Sequence, residues 1–401
     1  MENEELLREL SIKNDKKIVL LIIDGVGGIP LNGATELESA HKPNLDKLAE
    51  MSSCGTIIPV EIGITPGSGP AHLAIFGYDP LKYHIGRGIL EALGIGILVE
   101  KNDLAVRGNF ATINEKGIIV DRRAGRISTE KNIEICKYLS DRIRQIDDVK
   151  VEIFPGKEHR FVVLLKGDNL RDELSDADPQ KDGLPLKYAS ALVKEAKNTE
   201  IVVNKFINMA NENLEKYFPA NSVLLRGFSK HPDIPSMGEL FKLNPAAIAQ
   251  YPMYRGLAQI VGMKILDVGA EIGEIFECLE NNWKNYDFFY IHIKKTDSFG
   301  EDGDFKEKVK MIEKLDKFIP EILKLNPDVF AVTSDHSTPS SMKAHSWHPN
   351  PFLLYSPYEI RDEIKRFTER ECAKGILGRF YSKDVMRLLL ANALKLKKFG
   401  A

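Results

Sequence analysis

Three stretches of the chain are continuously apolar, and each of them ends on an aspartate. They cover residues 17–24, 286–297 and 327–335. Because they lack alternation between apolar and polar positions, they predict strands buried on both faces, as parallel sheets require. Amphipathic helical patterns lie between or beyond them, over residues 44–51, 305–323 and 382–396. This succession predicts an α/β fold with a mainly parallel sheet and helices on both faces.

The pattern changes in the middle of the chain. Short strand-like segments occur at residues 107–113, 117–121, 151–154 and 160–165, with helical patterns at 128–146 and 190–217. This mixture predicts a smaller α+β domain inserted into the first one. We therefore expect a discontinuous α/β domain formed by residues 1–101 and 222–401, and an inserted domain formed by residues 102–221.

Composition narrows the class of protein. The 401 residues are 43% hydrophobic and 28% charged, with a net charge of −3, so no basic field indicates a nucleic-acid partner. The four cysteines are far apart, which argues against a thiolate zinc site or a disulfide framework. The acidic N-terminus and the short apolar run at 18–23 indicate neither a secretory signal nor a membrane helix. We expect a cytoplasmic protein without membrane association, and the sequence indicates no oligomeric state.

The strand-ending aspartates are Asp24, Asp297 and Asp335. Ligands of open α/β sheets bind beyond the carboxyl ends of the strands, so the three residues are candidates for one shared site. The glycines after Asp24 do not complete a dinucleotide-binding pattern, because Pro30 stands where its third glycine belongs. The chain also lacks the glycine-rich phosphate loop that ends in Gly-Lys-Ser/Thr.

Ser68 lies in a glycine-flanked turn, TPGSGPAH at residues 65–72, before an expected helix at 70–76. One interpretation is a helix N-cap with a proline in the first turn. The other is a nucleophile, because flanking glycines admit a phosphate and a helix N-terminus stabilises an anion. A serine needs a base or a metal for activation, so this motif alone leaves both interpretations open.

Histidines follow the last of the apolar strands. His336 is adjacent to Asp335, and His345 and His348 come soon after. Carboxylates and imidazoles are the ligands of Mn²⁺, Mg²⁺ or Zn²⁺ in sites without thiolates. Three strand-end acids followed by histidines therefore predict a two-metal site.

The order Asp24, Ser68, Asp297, Asp335, His336, His345 resembles the alkaline phosphatase superfamily. More closely, the chain is similar to the archaeal-type 2,3-bisphosphoglycerate-independent phosphoglycerate mutases. The similarity spans nearly the whole chain, in strings at residues 23–27, 42–49, 65–80, 86–88, 107–112, 121–126, 251–258 and 292–297.

The resemblance implies two divalent metal ions. One would be held by Asp24, Ser68, Asp335 and His336, and the other by Asp297, His345 and Glu301. Many family members have histidine at the position of Glu301. A carboxylate there favours Mn²⁺ or Mg²⁺, with Zn²⁺ and Co²⁺ as alternatives. His348 is expected to support the loop around it.

The resemblance also implies an activity. A metal-activated Ser68 would take the phosphoryl group of 3-phosphoglycerate and return it to the 2-hydroxyl, without 2,3-bisphosphoglycerate. The inserted domain would act as a lid that binds the substrate. The substrate-binding candidates are Asp121, Arg122, Arg123, Arg126, His159, Arg160, Arg226 and Arg255, with Arg107 beside them.

Two alternatives remain open. One is a related metal-dependent phosphatase, or a phosphotransferase that acts on another small hydroxy acid or on homoserine. The other is a non-catalytic binding protein on a degenerate phosphatase fold, which only Glu301 suggests.

Overall fold

The computed structural model of the chain describes residues 3–97 and 99–400. The strands in chain order are β1 (Ile18–Ile23), β2 (Ser53–Ile58), β3 (Asp103–Ile113), β4 (Ile119–Asp121), β5 (Gln145–Ile146), β6 (Val149–Pro155), β7 (Arg160–Lys166), β8 (Ser222–Lys230), β9 (Pro245–Ala249), β10 (Lys264–Leu266), β11 (Phe288–Ile293), β12 (Val329–Thr333), β13 (Asn350–Tyr355) and β14 (Gly378–Tyr381).

The α-helices are α1 (Asn3–Leu10), α2 (Glu36–Ser39), α3 (Pro43–Glu50), α4 (Ser68–Ile75), α5 (Arg87–Gly94), α6 (Thr129–Arg142), α7 (Lys197–Leu214), α8 (Met237–Phe241), α9 (Pro252–Ile260), α10 (Ile272–Asn282), α11 (Lys295–Asp302), α12 (Phe305–Asp316), α13 (Ile319–Lys324), α14 (Glu369–Cys372) and α15 (Val385–Asn392). Short 3₁₀ turns occur at Ala124–Arg126, Lys194–Ala196 and Ser382–Asp384. Among the described residues, none of these helices is both long enough and apolar enough to cross a membrane.

The chain divides into two compact units. The first contains residues 1–84 and 233–401, and the second contains residues 85–232. This division differs from the predicted boundaries at 101/102 and 221/222. The reason is that β8 pairs with β3 and that α5 packs against both of these strands, so both flanking segments join the second unit.

The first unit is built on an eight-stranded sheet in the order β10-β9-β11-β1-β12-β13-β2-β14. Five of its seven strand pairings are parallel, and β13 runs antiparallel to both of its neighbours. The predicted α/β class with a mainly parallel sheet is thus confirmed.

Strand β1 lies between β11 and β12, and all three are fully buried, as their apolar sequences require. In the parallel register, Ile22 is opposite both His292 and Thr333. The three strands therefore end at the same edge of the sheet. The segments that carry Asp24, Asp297 and Asp335 begin there.

Two of the predicted helices are shorter than their patterns suggest. The pattern at 305–323 forms two helices, α12 and α13, because Pro320 has no N–H to donate to the carbonyl four residues earlier. The pattern at 382–396 forms a 3₁₀ turn followed by α15, which ends at Asn392.

The second unit contains an antiparallel sheet in the order β4-β3-β7-β6-β5, with β8 paired to β3. Helices α6 and α7 pack on this sheet around an apolar core to which Val106, Phe110 and Phe206 belong. Side chains alternate along a strand, so Arg107 and Asn109 lie on the face opposite to that of Val106 and Phe110.

Candidate active site

Ser68 is the first residue of α4, and Gly67 is its N-cap with extended backbone angles of φ −86° and ψ 160°. Ser68 is therefore not the N-cap residue of α4. Its Oγ instead lies 3.3 Å from Nε2 of His336 and accepts a hydrogen bond of 3.4 Å from the Tyr254 hydroxyl. The serine hydroxyl is thus turned toward the strand-end cluster.

The strand-end acids and histidines form two groups of three. One group contains Asp24, Asp335 and His336, and the other contains Asp297, His336 and His345. Within each group, one donor atom per residue lies within 4.8 Å of the others. His336 belongs to both groups, and its ring stacks on that of His345 with centroids 3.6 Å apart.

These donors suit divalent cations. All three aspartates are fully buried. Oδ1 of Asp24 and Oδ2 of Asp335 make no hydrogen bond to any part of the chain that the structure describes. Nε2 of His336 lies 3.5 and 3.1 Å from these two oxygens. Buried carboxylate oxygens without hydrogen bonds are costly unless a cation lies near them. Carboxylate and imidazole donors match Mn²⁺, Mg²⁺ or Zn²⁺, so the residues present fit the implied metals.

The buried acids and histidines of the site shift one another's pKa values. Burial opposes ionisation of Asp335, but the adjacent His336 and His72 outweigh it and hold the pKa of Asp335 well below its usual range. Burial likewise lowers the pKa of His336, whereas the carboxylate of Asp335 and then those of Asp24 and Asp297 raise it to about 9. His72 is dominated by burial, which lowers its pKa to about 4, so it is neutral at pH 7.

Besides Ser68, three predicted residues of the first unit lie outside the two groups of acids and histidines. Glu301 follows Asp297 by one turn of α11, and its Oε1 lies 3.7 Å from Nε2 of His345, but its side chain is 54% exposed. His348 hydrogen-bonds with Ser346 and stacks on Trp347, which agrees with a role in its own loop. Arg255 forms a 2.6 Å ion pair with Asp267.

Several residues that contact the site were not among the sequence predictions. His292 hydrogen-bonds with Asp24 Oδ2 at 3.0 Å, and its ring stacks on that of Tyr254. The ammonium of Lys294 lies 3.3 Å from Asp24 and 2.5 Å from Asp297. The same ammonium donates to the Tyr254 hydroxyl at 2.9 Å, and that hydroxyl donates to Ser68. The series of hydrogen bonds from Lys294 through Tyr254 ends on the serine oxygen, an arrangement that favours negative charge on Oγ.

Two of these three residues, His292 and Lys294, could have been predicted from the sequence. His292 is an ionisable residue near the end of an otherwise apolar strand, and Lys294 follows directly after that strand. Polar residues at the carboxyl ends of parallel strands are expected to face the ligand. Tyr254 carried no comparable signal, because its contact with Ser68 joins residues 186 positions apart.

Arginines gather on one face of the sheet in the second unit. Arg107 is opposite Arg226 in the β3–β8 pairing, and Asn109 is opposite Arg160 in the β3–β7 pairing. The pKa of Arg107 is lowered, first by burial and then by Arg226, Arg160 and Arg87, although Glu91 opposes this. Nε of Arg107, Nε of Arg226 and Oδ1 of Asn109 are buried without hydrogen bonds to the described residues.

His159 adjoins the same positive charges. Burial, then Arg160, Arg123 and Arg107, lower its pKa to about 4, so the imidazole is neutral at pH 7. Nε of Arg107 lies 3.4 Å from a carboxylate oxygen of Glu91, and Arg226 lies 3.9 Å from Asp178. The guanidinium groups, with the Asn109 acceptor beside them, can bind an anion that also carries hydroxyl groups.

The remaining predicted residues of this unit form a turn. The carboxylate of Asp121 accepts the backbone N–H groups of Arg123 and Gly125 at 2.8 and 2.6 Å. Arg122 forms two hydrogen bonds with Asp178, of 2.9 and 2.6 Å. Arg126 has a left-handed backbone with φ +52°. Asp121 and Arg122 are thus occupied within the unit and shape the segment that carries the other arginines.

Known proteins are similar to the whole chain. A family model described as 2,3-bisphosphoglycerate-independent phosphoglycerate mutase matches residues 49–219. A protein of Thermosipho africanus named "Probable 2,3-bisphosphoglycerate-independent phosphoglycerate mutase" is 54% identical, with 100% of both chains covered. One of the same name from Thermus thermophilus is 52% identical, with 99% of both covered.

Two solved structures are also similar. The cofactor-independent phosphoglycerate mutase of Thermoplasma acidophilum is 30% identical, with a TM-score of 0.78 and with 94% of this chain and 100% of that chain covered. A protein from Pyrococcus horikoshii is 31% identical, with a TM-score of 0.80 and with 97% and 100% covered.

The fold, the family model and the named relatives define one class of enzymes, the phosphoglycerate mutases. Within that class, the chain belongs to the 2,3-bisphosphoglycerate-independent family, which confirms the resemblance seen in its sequence.

Proposed function

We propose that the chain interconverts 3-phosphoglycerate and 2-phosphoglycerate through a phosphoserine at Ser68, with two divalent metal ions and without 2,3-bisphosphoglycerate. The observation that carries this proposal is the position of Ser68 Oγ, 3.3 Å from the histidine that both ligand groups share. The names of the relatives supply the substrate and the independence from the bisphosphate.

The metals would be held by the two groups of acids and histidines. Asp24, Ser68, Asp335 and His336 would bind one, and Asp297, His345 and Glu301 would bind the other. His336 would bind one ion only, because its Nδ1–H donates to the Thr338 hydroxyl and leaves Nε2 as its single metal-binding atom. When bound, such ions neutralise phosphoryl oxygens and lower the energy of a serine alkoxide.

The residues of the chain have distinct parts in the reaction. The Ser68 hydroxyl loses its proton as Oγ forms a bond to phosphorus, the bond from phosphorus to the 3-oxygen of glycerate breaks, and the 3-oxygen takes up a proton. The 2-hydroxyl then loses its proton and attacks the phosphoserine, the bond from phosphorus to Oγ breaks, and Oγ takes up a proton. Tyr254 and Lys294 donate in series toward Oγ and so stabilise the serine oxygen whenever it carries negative charge.

The arginines of the second unit would bind the substrate. Arg107, Arg160 and Arg226 present guanidinium groups on one face of the sheet, and such groups match carboxylate and phosphate geometry. Asn109 and the neutral His159 can hydrogen-bond the hydroxyl of glycerate. We assign Asp121 and Arg122 to the support of residues 121–126, because Asp121 accepts two backbone N–H groups and Arg122 forms two hydrogen bonds with Asp178. The carboxylates nearest to Arg107 and Arg226 are farther away, at 3.4 and 3.9 Å.

An assay with 3-phosphoglycerate tests the proposal. The purified chain is freed of metal, supplied with Mn²⁺, and monitored for 2-phosphoglycerate and for free phosphate. We expect 2-phosphoglycerate without added 2,3-bisphosphoglycerate and without matching release of phosphate. Release of phosphate as the main product would favour the phosphatase alternative. No turnover of 3-phosphoglycerate, with phosphoryl transfer to another hydroxy acid or homoserine, would favour the phosphotransferase.

Replacing Arg226 by alanine is expected to raise KM for 3-phosphoglycerate by about 10- to 100-fold, with a smaller change in kcat. Hydrogen bonds to a charged group contribute about 1.5–3 kcal/mol, which corresponds to that range. Initial rates over a range of substrate concentrations measure the effect. Arg144, 76% exposed in the same unit, provides the control variant Arg144→Ala. Equal KM values for the two variants would contradict the assignment of Arg226.

Replacing Glu301 by histidine is expected to raise the preference of the protein for Zn²⁺ over Mn²⁺ by about tenfold, because imidazole suits Zn²⁺ and carboxylate suits Mn²⁺. Competitive binding of the two ions to the metal-free protein measures the ratio. Glu321, a half-exposed glutamate paired with Lys324, gives the control variant Glu321→His. An unchanged ratio in Glu301→His would show that residue 301 does not bind the metal.

A further inference from the structure

A buried lysine lies against the two loops that carry most of the metal-ligand candidates. Lys308, on α12, has no exposed surface. Its ammonium donates to the carbonyl oxygen of Thr338 at 2.8 Å and to that of Gly27 at 3.2 Å. The carboxylate of Glu36 lies 3.9 Å away. A buried charge is costly unless it is paired and hydrogen-bonded, so the ammonium depends on these three partners.

The two carbonyl groups belong to the segments that follow β1 and β12. Gly27 comes three residues after Asp24, and Thr338 comes two residues after His336. The segments are also joined directly, since the N–H of Thr338 donates to the carbonyl of Gly27 at 3.1 Å. Lys308 therefore bridges the loop of one metal-ligand candidate to the loop of another.

Thr338 extends this connection into the site. Its hydroxyl donates to Oδ1 of Asp297 at 2.5 Å and hydrogen-bonds with Nδ1 of His336 at 3.0 Å. A shift of the Thr338 backbone would thus change the positions of ligand candidates from both groups. Little space is available for such a shift, because a Cβ on Gly25 would lie 2.6 Å from the Thr338 hydroxyl.

Glu36 completes the surroundings of the ammonium. Its Oε1 accepts the backbone N–H of Ser340 at 2.9 Å, two residues beyond Thr338. Its Oε2 is buried without a hydrogen bond to the described residues, and a Cβ on Gly28 would collide with it. Glu36 therefore holds the loop after β12 by a hydrogen bond and packs closely against the loop after β1, whereas Lys308 hydrogen-bonds to both loops.

We infer that Lys308 is a positioning residue for metal binding: by holding the Gly27 and Thr338 carbonyls, it sets the positions of Asp24, His336 and Asp297 before an ion arrives. The inference rests on the proposed function, since it requires the two groups to bind divalent ions. Residues that orient metal ligands without touching the metal contribute about 10- to 100-fold to its affinity.

Replacing Lys308 by methionine tests this, because methionine has a similar length and no charge. Mn²⁺ is titrated into the metal-free protein by calorimetry, and thermal unfolding of the same protein is recorded with a chelator present. We expect Mn²⁺ affinity to fall by about 10- to 100-fold. The control is Lys310→Met, since Lys310 is on the same helix and 67% exposed.

The wild-type titration separates two kinds of failure. If the wild type binds no Mn²⁺, the proposed function fails. If the wild type binds Mn²⁺ and Lys308→Met binds it equally well, the inference about Lys308 is overturned while the proposed function stands.

The single variant leaves the buried Glu36 carboxylate without its ion-pair partner, which could prevent folding. The double variant Lys308→Met with Glu36→Gln removes both buried charges and so avoids this problem. Continued weak binding of Mn²⁺ in this variant supports positioning by the ammonium. Return of wild-type affinity would show that Lys308 only neutralises Glu36. Failure of both variants to give folded metal-free protein would show that the lysine is required for the fold itself. Either of these last two results overturns the inference.

Discussion

Replacing Ser68 by alanine is expected to abolish phosphoglycerate mutase activity, with a loss on the order of 10⁴-fold or more. Such losses follow removal of a covalent nucleophile, because the remaining groups cannot provide the same two-step path. The steady-state rate of 2-phosphoglycerate formation measures the loss. Because Asp24, Asp335, His336, Asp297 and His345 remain, we expect the variant still to bind Mn²⁺.

Two further measurements make this prediction specific. Mass spectrometry of the wild type incubated with 3-phosphoglycerate should find phosphate on the peptide that contains residue 68. The same peptide of the alanine variant should carry none. Ser341→Ala, at an exposed serine of the same unit, serves as the control. More than a few per cent of wild-type activity in Ser68→Ala would rule out the phosphoserine.

Replacing His336 by alanine is expected to weaken binding of the metal ion that Asp24 and Asp335 would also hold, because Nε2 of His336 faces Ser68 while its Nδ1–H is occupied by Thr338. Asp24→Asn and His345→Ala should each weaken mainly one ion. We expect the His336 variant to lose at least about 100-fold in Mn²⁺ affinity, the upper limit for residues that only support a ligand, and most of its activity.

The number of metal ions bound per chain tests these expectations. Metal titration of Asp24→Asn, His345→Ala and His336→Ala should give about one tight ion per chain for each variant. The control variant is His41→Ala, which removes an exposed histidine of the same unit. Binding of two tight ions by the His336 variant would contradict the assignment of this residue as a metal ligand.

The centre of the fold followed directly from the sequence. Strand β1 is a continuous apolar run, and β11 and β12 are apolar except for one residue near their ends, His292 and Thr333. Such strands are typical of a sheet buried on both faces. Their common edge then brought Asp24, Asp297 and Asp335 together across more than 300 residues. The domain boundaries depended instead on the pairing of β8 with β3, a contact between distant segments that local patterns do not encode.

The details of the site were less predictable for a related reason. The sequence indicated that His336 is a ligand candidate, but not that its ring lies between two groups of acids. Similarly, Asp121 and the arginines near it had the composition of an anion site. Only the folded chain shows that Asp121 holds backbone N–H groups and that Arg122 pairs with Asp178. Hydrogen-bond partners depend on geometry that residue type alone does not set.

The central place of β1 has a consequence for biosynthesis. Both neighbours of this strand are translated long after it, since β11 begins at Phe288 and β12 at Val329. At ribosomal rates of about 5–20 residues per second, the six apolar residues of β1 wait on the order of tens of seconds for their partners. A nascent chain in that interval presents an unpaired hydrophobic strand, a natural target for chaperones. Ser68 is also synthesised long before Asp335, His336 and His345. Under the proposed function, the active site therefore stays incomplete until the segments that follow β12 have been translated.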